Sequence, residues 1–141
     1  MRVFLDTNVL VSAVATRGLC ADVFREILSS HQLVVSAPLI SELNKILHSK
    51  IGIHHKTISD FTEVLTQDSI FSENTSLTDI DINDKDDILI LSTALNGNAE
   101  LFVTGDKELL ELGQIQSMRI ISPRKFWEML KTHWMNTDRK S

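Results

Sequence analysis

Four carboxylates occupy comparable places along this chain. Asp6 ends the apolar run Val3-Phe4-Leu5, and Glu42 falls in the first turns of the segment after Leu33-Val34-Val35-Ser36. Asp87 starts a stretch of periodic apolar residues, and Asp106 follows Leu101-Phe102-Val103-Thr104. Each stands where a strand pattern gives way to a helix pattern of the same sense. All four are therefore expected to project from one edge of a parallel sheet, the edge at which open α/β sheets bind their ligands. Carboxylates drawn within about 4 Å of one another raise each other's pKa unless a cation neutralises them. No lysine or arginine stands at an equivalent place except Lys107, next to Asp106. The partner that fits is a hard divalent cation, Mg²⁺ or Mn²⁺, which takes oxygen ligands.

Each acid taken singly has a plainer reading. Aspartates at helix starts commonly serve as caps or complement the helix dipole, and that reading covers Asp106. It also covers at least two members of the run Asp84, Asp86 and Asp87. Glu42 by itself could be a surface residue. Asp6 is the hardest to explain away, because it directly follows a buried strand. The argument for a metal centre rests on the set.

The elements that would hold these residues alternate in type. Short apolar runs at residues 3–5, 33–36, 101–104 and 118–121 read as strands buried on both faces, with 70–71 as a further short one. Helical spacing covers residues 9–15, 21–28, 38–49, 54–66, 86–95, 107–112 and 123 to about 134. Thr7 and Asn8 suit a cap for the first helix, Asn83 or Asp84 for the helix carrying Asp87. Residues 72–81 are polar and irregular. This alternation predicts a three-layer α/β/α sandwich around a central parallel sheet of about five strands, joined by right-handed crossovers. Residues 1–135 read as a single domain and residues 136–141 as a frayed tail.

Composition narrows the function. The chain has 141 residues, 43% hydrophobic and 23% charged, which suits one folded domain. No apolar run approaches the roughly 18–20 residues that span a bilayer, and Asp6 interrupts the first apolar stretch too early for a signal peptide. Cys20 is the only cysteine, so no intrachain disulfide can form. A cytoplasmic protein that meets no membrane is expected, with Cys20 as a small buried hydrophobe. The net charge of −5 argues against a passive, sequence-independent nucleic-acid binder. It leaves room for a metal-dependent nuclease, whose acids are gathered in one pocket with bound cations inverting the local field.

At this point the sequence resembles a family. Asp6-Thr7-Asn8-Val9-Leu10 is similar to the opening motif of PIN-domain ribonucleases, and Ser41-Glu42-Leu43 to their second acidic motif. Asp87 with Ile90, Ala94 and Leu95 resembles the third, and Val103-Thr104-Gly105-Asp106 the fourth. Lys107-Glu108-Leu109-Leu110 and Ile121-Ser122-Pro123-Arg124-Lys125-Phe126 resemble a bacterial subgroup similar to VapC-type toxins of toxin–antitoxin pairs. Order and spacing agree over nearly the whole chain. The family register selects Asp87 within the acidic run, with Asp84 or Asp86 able to assist. Lys85 departs from the subgroup, which frequently has proline there, and could loosen the loop.

The resemblance implies metal-dependent hydrolysis of phosphodiester bonds in single-stranded RNA. Asp6, Glu42, Asp87 and Asp106 would be the catalytic, metal-holding residues for Mg²⁺ or Mn²⁺. Asn8 and Thr104 would orient the carboxylates by hydrogen bonding. Lys107 and the loop at Arg17 could contact phosphate. A protein antitoxin would be the partner, and a homodimer is compatible with the family.

Other features carry less. His54 and His55 are adjacent, so on a helix they point about 100° apart and would not converge on a metal. His31, His48 and His133 lack ligand spacing. Trp127 and Trp134 share a face of the last helix and suit core or subunit packing better than base stacking. No glycine-rich phosphate loop is present. Two other functions compete. A haloacid-dehalogenase-like phosphatase also opens on an apolar strand ending in Asp, but wants a second Asp where this chain has Asn8. A catalytically silent PIN-like partner-binding module would keep the fold without the activity.

Overall fold

The first strand, β1 (Arg2–Leu5), is bare of polar groups after its first residue. Val3, Phe4 and Leu5 all have zero exposure. Successive strand residues point to opposite faces, so their complete burial means that both faces of the sheet are covered. In this computed structural model, residues 1–132 are described with their side chains and the backbone is described to Lys140. The expectations for His133 and Trp134 fall on side chains outside those described, whereas residues 136–140, expected as a frayed tail, continue the last helix.

The chain continues through α1 (Thr7–Ala15), α2 (Leu19–Ser30), β2 (Gln32–Ser36), α3 (Ala37–Ile46), a π-helical turn (Leu47–Ile51) and α4 (His55–Thr66). Then follow β3 (Ile70–Ser72), α5 (Lys85–Asn96), β4 (Leu101–Val103), α6 (Lys107–Leu112), β5 (Gln114–Ile115), β6 (Met118–Ile121) and α7 (Pro123–Lys140). The strand order is β3-β2-β1-β4-β6-β5. Five strands run parallel, and β5 pairs antiparallel with β6. The expected α/β architecture with a central parallel sheet is therefore present, with six strands rather than about five. The added strand is a two-residue edge. It turns back through Gln116, which sits in the left-handed region at φ 53. No Asn-Gly or Asp-Gly pair announces that hairpin.

The order reverses around β1, whose neighbours are β2 on one side and β4 on the other. Such a switch point opens a crevice at the carboxyl ends of the strands. The ladder runs past the strand ends into the crevice. Asp6 N–H donates to Val103 O at 2.9 Å, and Thr104 N–H donates to Ile121 O at 3.0 Å.

The core spans the sheet. Phe4 and Phe102, paired in register across β1 and β4, stack with ring centroids 5.3 Å apart. The irregular segment before α5 is tied to that helix by side chains. Ser92 Oγ accepts from Thr78 N–H at 2.9 Å, and Asn96 Nδ2 donates to Asn74 O at 2.8 Å and Ser76 O at 3.0 Å. Gly97, which ends α5, lies against the sheet. A Cβ there would come within 2.7 Å of Val34 Cγ1 and 3.0 Å of Ser72 Cβ. Both obstacles are branched or short groups on strands, so neither can swing clear. Gly97→Ala is expected to cost about 1–3 kcal/mol by overpacking, read as a lower urea midpoint with an unchanged slope.

Candidate metal centre

Asp6 caps α1 and is itself held from three sides. Its Oδ1 accepts from Thr7 N–H at 2.8 Å, and its Oδ2 accepts from Thr104 Oγ1 at 2.7 Å and from Asn8 Nδ2 at 3.3 Å. The cap is therefore Asp6, not Thr7 or Asn8. Thr7 becomes the first helical residue, because the carboxylate one place earlier already satisfies its N–H. Thr104 links two acids, since its hydroxyl also accepts from Asp106 N–H at 3.1 Å. Asn8 bridges the same strands, with Oδ1 accepting from Gly105 N–H at 3.2 Å. Asp6 is buried at 7% exposure, and that burial pushes its carboxyl above the ordinary aspartate range. The hydrogen bonds from Thr104 and Thr7 pull the other way, while the charges of Glu42 and Asp106 add to the rise.

Asp106 caps α6, accepting from Glu108 N–H at 2.9 Å through Oδ1. The cap reading and the site reading thus describe one carboxylate with two oxygens. At α5 the cap is Asp84, whose Oδ1 accepts from Asp86 N–H at 2.9 Å and Asp87 N–H at 3.2 Å. Those two bonds fix the turn that Lys85 could have loosened; Lys85 takes the first helical position, where proline is merely one acceptable residue. With Asp84 occupied on the backbone, Asp87 remains half-buried and without a hydrogen-bond partner for its carboxylate among the described residues.

Asp87 reports the convergence. Its pKa is pushed up to about 7, first by burial, then by the charges of Asp84, Asp6, Asp106 and Glu42. Every charge acting on it is another carboxylate, and the four come from four separate segments of the sequence. Glu42, half-buried in the second turn of α3, is among them. The four acids singled out from sequence are therefore brought to one sheet edge. They are not drawn tightly together, for among the described residues no three His, Cys, Asp or Glu side chains gather close enough to hold one ion. Like charges without a cation are expected to stand apart.

The donor set fits a hard divalent ion: carboxylate oxygens, half-buried to buried, with no cationic side chain among the charges acting on Asp6 or Asp87. The ion pairs among the described residues, Arg2 with Glu100 and Arg25 with Asp22, involve none of these acids. Thr7 Oγ1 is buried without a protein partner and could accept from an ordered water. Asp6, Asp87, Asp106 and Glu42 are the residues that could hold the metal. Asp84 was singled out less firmly from sequence than its charge on Asp87 warrants.

The remaining candidates divide. Lys107 and Arg17 are exposed, and no hydrogen bond fixes either to the site. His54 caps α4, its Nδ1 accepting from Lys56 N–H at 3.1 Å. His55 turns instead to His48, and their rings stack with centroids 4.0 Å apart. Cys20 is half-buried and lines a cleft of about 330 Å³ with Asn8, Ser12 and Asp106. Burial pushes its thiol up, which keeps it protonated. Trp127 packs partly buried against the core. No helix among the described residues is long and apolar enough to cross a membrane.

A family model described as PIN domain matches residues 2–108. A chain in the crystal structure of VapBC2 from Rickettsia felis, bound to a DNA fragment from their promoter, superposes with a TM-score of 0.60 at 17% identity. That match covers 86% of this chain and 98% of the other. No curated protein matches the sequence. The structural likeness supports the fold alone. The family match takes in β1 with Asp6, the helix of Glu42, the start of α5 and the turn at Asp106, the segments that build this acidic edge. By that match over most of its length, the chain belongs to the PIN domain family.

Proposed function

We propose that this chain is a divalent-metal-dependent endoribonuclease that hydrolyses phosphodiester bonds in single-stranded RNA. One observation carries the reading: Asp6, Glu42, Asp87 and Asp106, from separate parts of the chain, act on one another at one sheet edge with no cationic side chain among the charges that raise Asp6 and Asp87. Such a charge set calls for a Mg²⁺ or Mn²⁺ ion. When bound, the ion polarises the phosphate and lowers the pKa of its water. Asp6, Asp87 and Asp106 would hold it, and Glu42 would hold a metal-bound water or orient the attacking one. Thr104 and Asn8 fix the angle of the Asp6 carboxylate. Residues 1–135 form the nuclease domain.

The biological reading is the toxin of a toxin–antitoxin pair, cytoplasmic, with a protein antitoxin as partner and a homodimer compatible with the fold. Family membership and the likeness to a VapBC2 chain support it. The phosphatase alternative loses ground. It needs a second carboxylate at position 8, where Asn8 instead spends its amide tying β1 to β4. A silent partner-binding module would cleave no RNA. Calorimetric titration of Mn²⁺ into the metal-free protein tests the site itself, and absence of binding at millimolar Mn²⁺ would sink the nuclease reading. Thr104→Val removes the donor to Asp6 while keeping the side-chain shape. It is expected to weaken Mn²⁺ binding about 10–100-fold in the same titration.

A further inference from the structure

We propose that the groove between α3 and α4 is the path of the RNA strand leading away from the cleaved phosphate, with Lys45 meeting a backbone phosphate and the stacked pair His48–His55 receiving a base. This inference rests on the reading of the chain as an RNA-cleaving enzyme and assigns the substrate a track beyond the acidic edge.

Three observations carry it. The groove is large, about 820 Å³, and the residues lining it are mostly of polar type, Asn44, Lys45, His48, His55, Thr62 and Glu63 among others. Lys45 also lines a second cleft of about 270 Å³ that contains Glu42, so the two clefts share this residue. A strand held at the carboxylates can leave past Glu42 and enter the groove over Lys45.

Charge gives the second observation. Residues 45–56 hold Lys45, Lys50 and Lys56 with His48, His54 and His55, and no acidic residue. All six are exposed. This is a basic segment in a chain of net charge −5. The acidic balance that spoke against RNA binding is thus local to the rest of the surface. Glu63 is the acidic side chain lining the groove, on the α4 wall opposite Lys45.

The third is the ring pair. The π-helical turn ends at Gly52, in the left-handed region at φ 78, and Ile53 N–H closes back on Leu47 O at 2.9 Å. That reversal brings His55, the first residue of α4, against His48, with interplanar angle 25°. Two exposed rings stacked face to face form a platform on which a base can continue the stack, as aromatic and histidine side chains do in single-strand recognition. At the floor, Thr62 Oγ1 lies 3.1 Å from Asn44 Oδ1. Thr62 Oγ1 also lies 2.9 Å from Ile58 O, so the hydroxyl and the amide form one hydrogen-bonded polar floor. A polyanion with flat bases matches lysine and imidazole faces better than an acidic or apolar peptide would.

The test is fluorescence anisotropy with a labelled oligouridylate of about ten nucleotides at pH 8 in EDTA, where no metal supports cleavage. Lys45→Ala is expected to weaken binding about threefold to tenfold and to flatten the salt dependence by about 0.7 in log–log slope, the loss of one phosphate contact. His48→Ala/His55→Ala is expected to weaken it about tenfold with the slope unchanged. The replaced side chains are exposed, so melting temperatures should match wild type. Mn²⁺-dependent cleavage is assayed separately. If binding falls as described while no cleavage is seen, the track stands and the nuclease reading fails. Wild-type binding that is absent, or unchanged in both variants, overturns the track even where cleavage is robust. So does a groove whose substitution shifts the monomer–dimer balance in sedimentation and leaves RNA binding alone, because the groove is then a protein interface.

Discussion

Asp6→Asn should abolish Mn²⁺-dependent RNA cleavage, by about 10³-fold or more, while leaving the metal-free protein as stable as wild type or more so. The activity loss follows from removing a full charge from the centre of the proposed metal site, where several kcal/mol of charge stabilisation are at stake. The stability result follows from the surroundings. Burial and the neighbouring charges of Glu42 and Asp106 work against an ionised Asp6. An asparagine keeps an oxygen for the Thr7 N–H cap, and its amide can donate to Thr104 once that hydroxyl turns to accept. Cleavage rates with a labelled single-stranded RNA and urea denaturation in EDTA read the two halves. Retained cleavage would remove Asp6 from the site. A large loss of stability would mean that its charge serves the fold.

Asp87→Asn is expected to lower cleavage by about 10²-fold or more and to remove a pH dependence of stability. In the unfolded chain the carboxyl titrates near 3.8, and in the folded, metal-free protein near 7. Between those values the folded state keeps a proton that the unfolded state has lost. Stability from this group is therefore full below about pH 4 and is lost as pH rises through 7. Asp87 is partly open to solvent, so screening reduces the effect to about 1–2 kcal/mol. Denaturation in EDTA at pH 5 and pH 8 should show wild type weakening at pH 8 by more than the variant, which keeps the contribution of Asp6. Added Mn²⁺ should restore wild type at pH 8 and release a proton on binding near pH 6. A pH profile shared by variant and wild type would mean that the acids do not act on Asp87.

Much of this was legible in the linear chain, because it is encoded by local period. The buried strands and the seven helices follow from runs and 3.6-residue spacing, and the turn to Asp87 from Asp84 three residues earlier. The family resemblance selected the same four acids that the fold carries to one edge. Less was legible where the signal is short. The two-residue strand β5 has no pattern of its own and exists because β6 offers a free edge with Met118 and Arg119 in register. The π-helical turn has the apolar spacing of plain helix, and it decides that His48 meets His55. Histidines seven apart across an unremarkable helix end give no ligand or stacking spacing.

The sequence by itself determined the kinds of element, their order, and which residues stand at strand ends. It also determined the family, since short motifs in a fixed order survive as linear text. Only the tertiary structure decided which ends are neighbours. Thr104 reaches Asp6 across 98 residues, and the strand order that places them side by side depends on pairing energies summed over the whole sheet. Local spacing carries no record of that sum. Nor does it record electrostatics: the shift on Asp87 is a property of four separated segments folded to one edge, and of the water excluded between them.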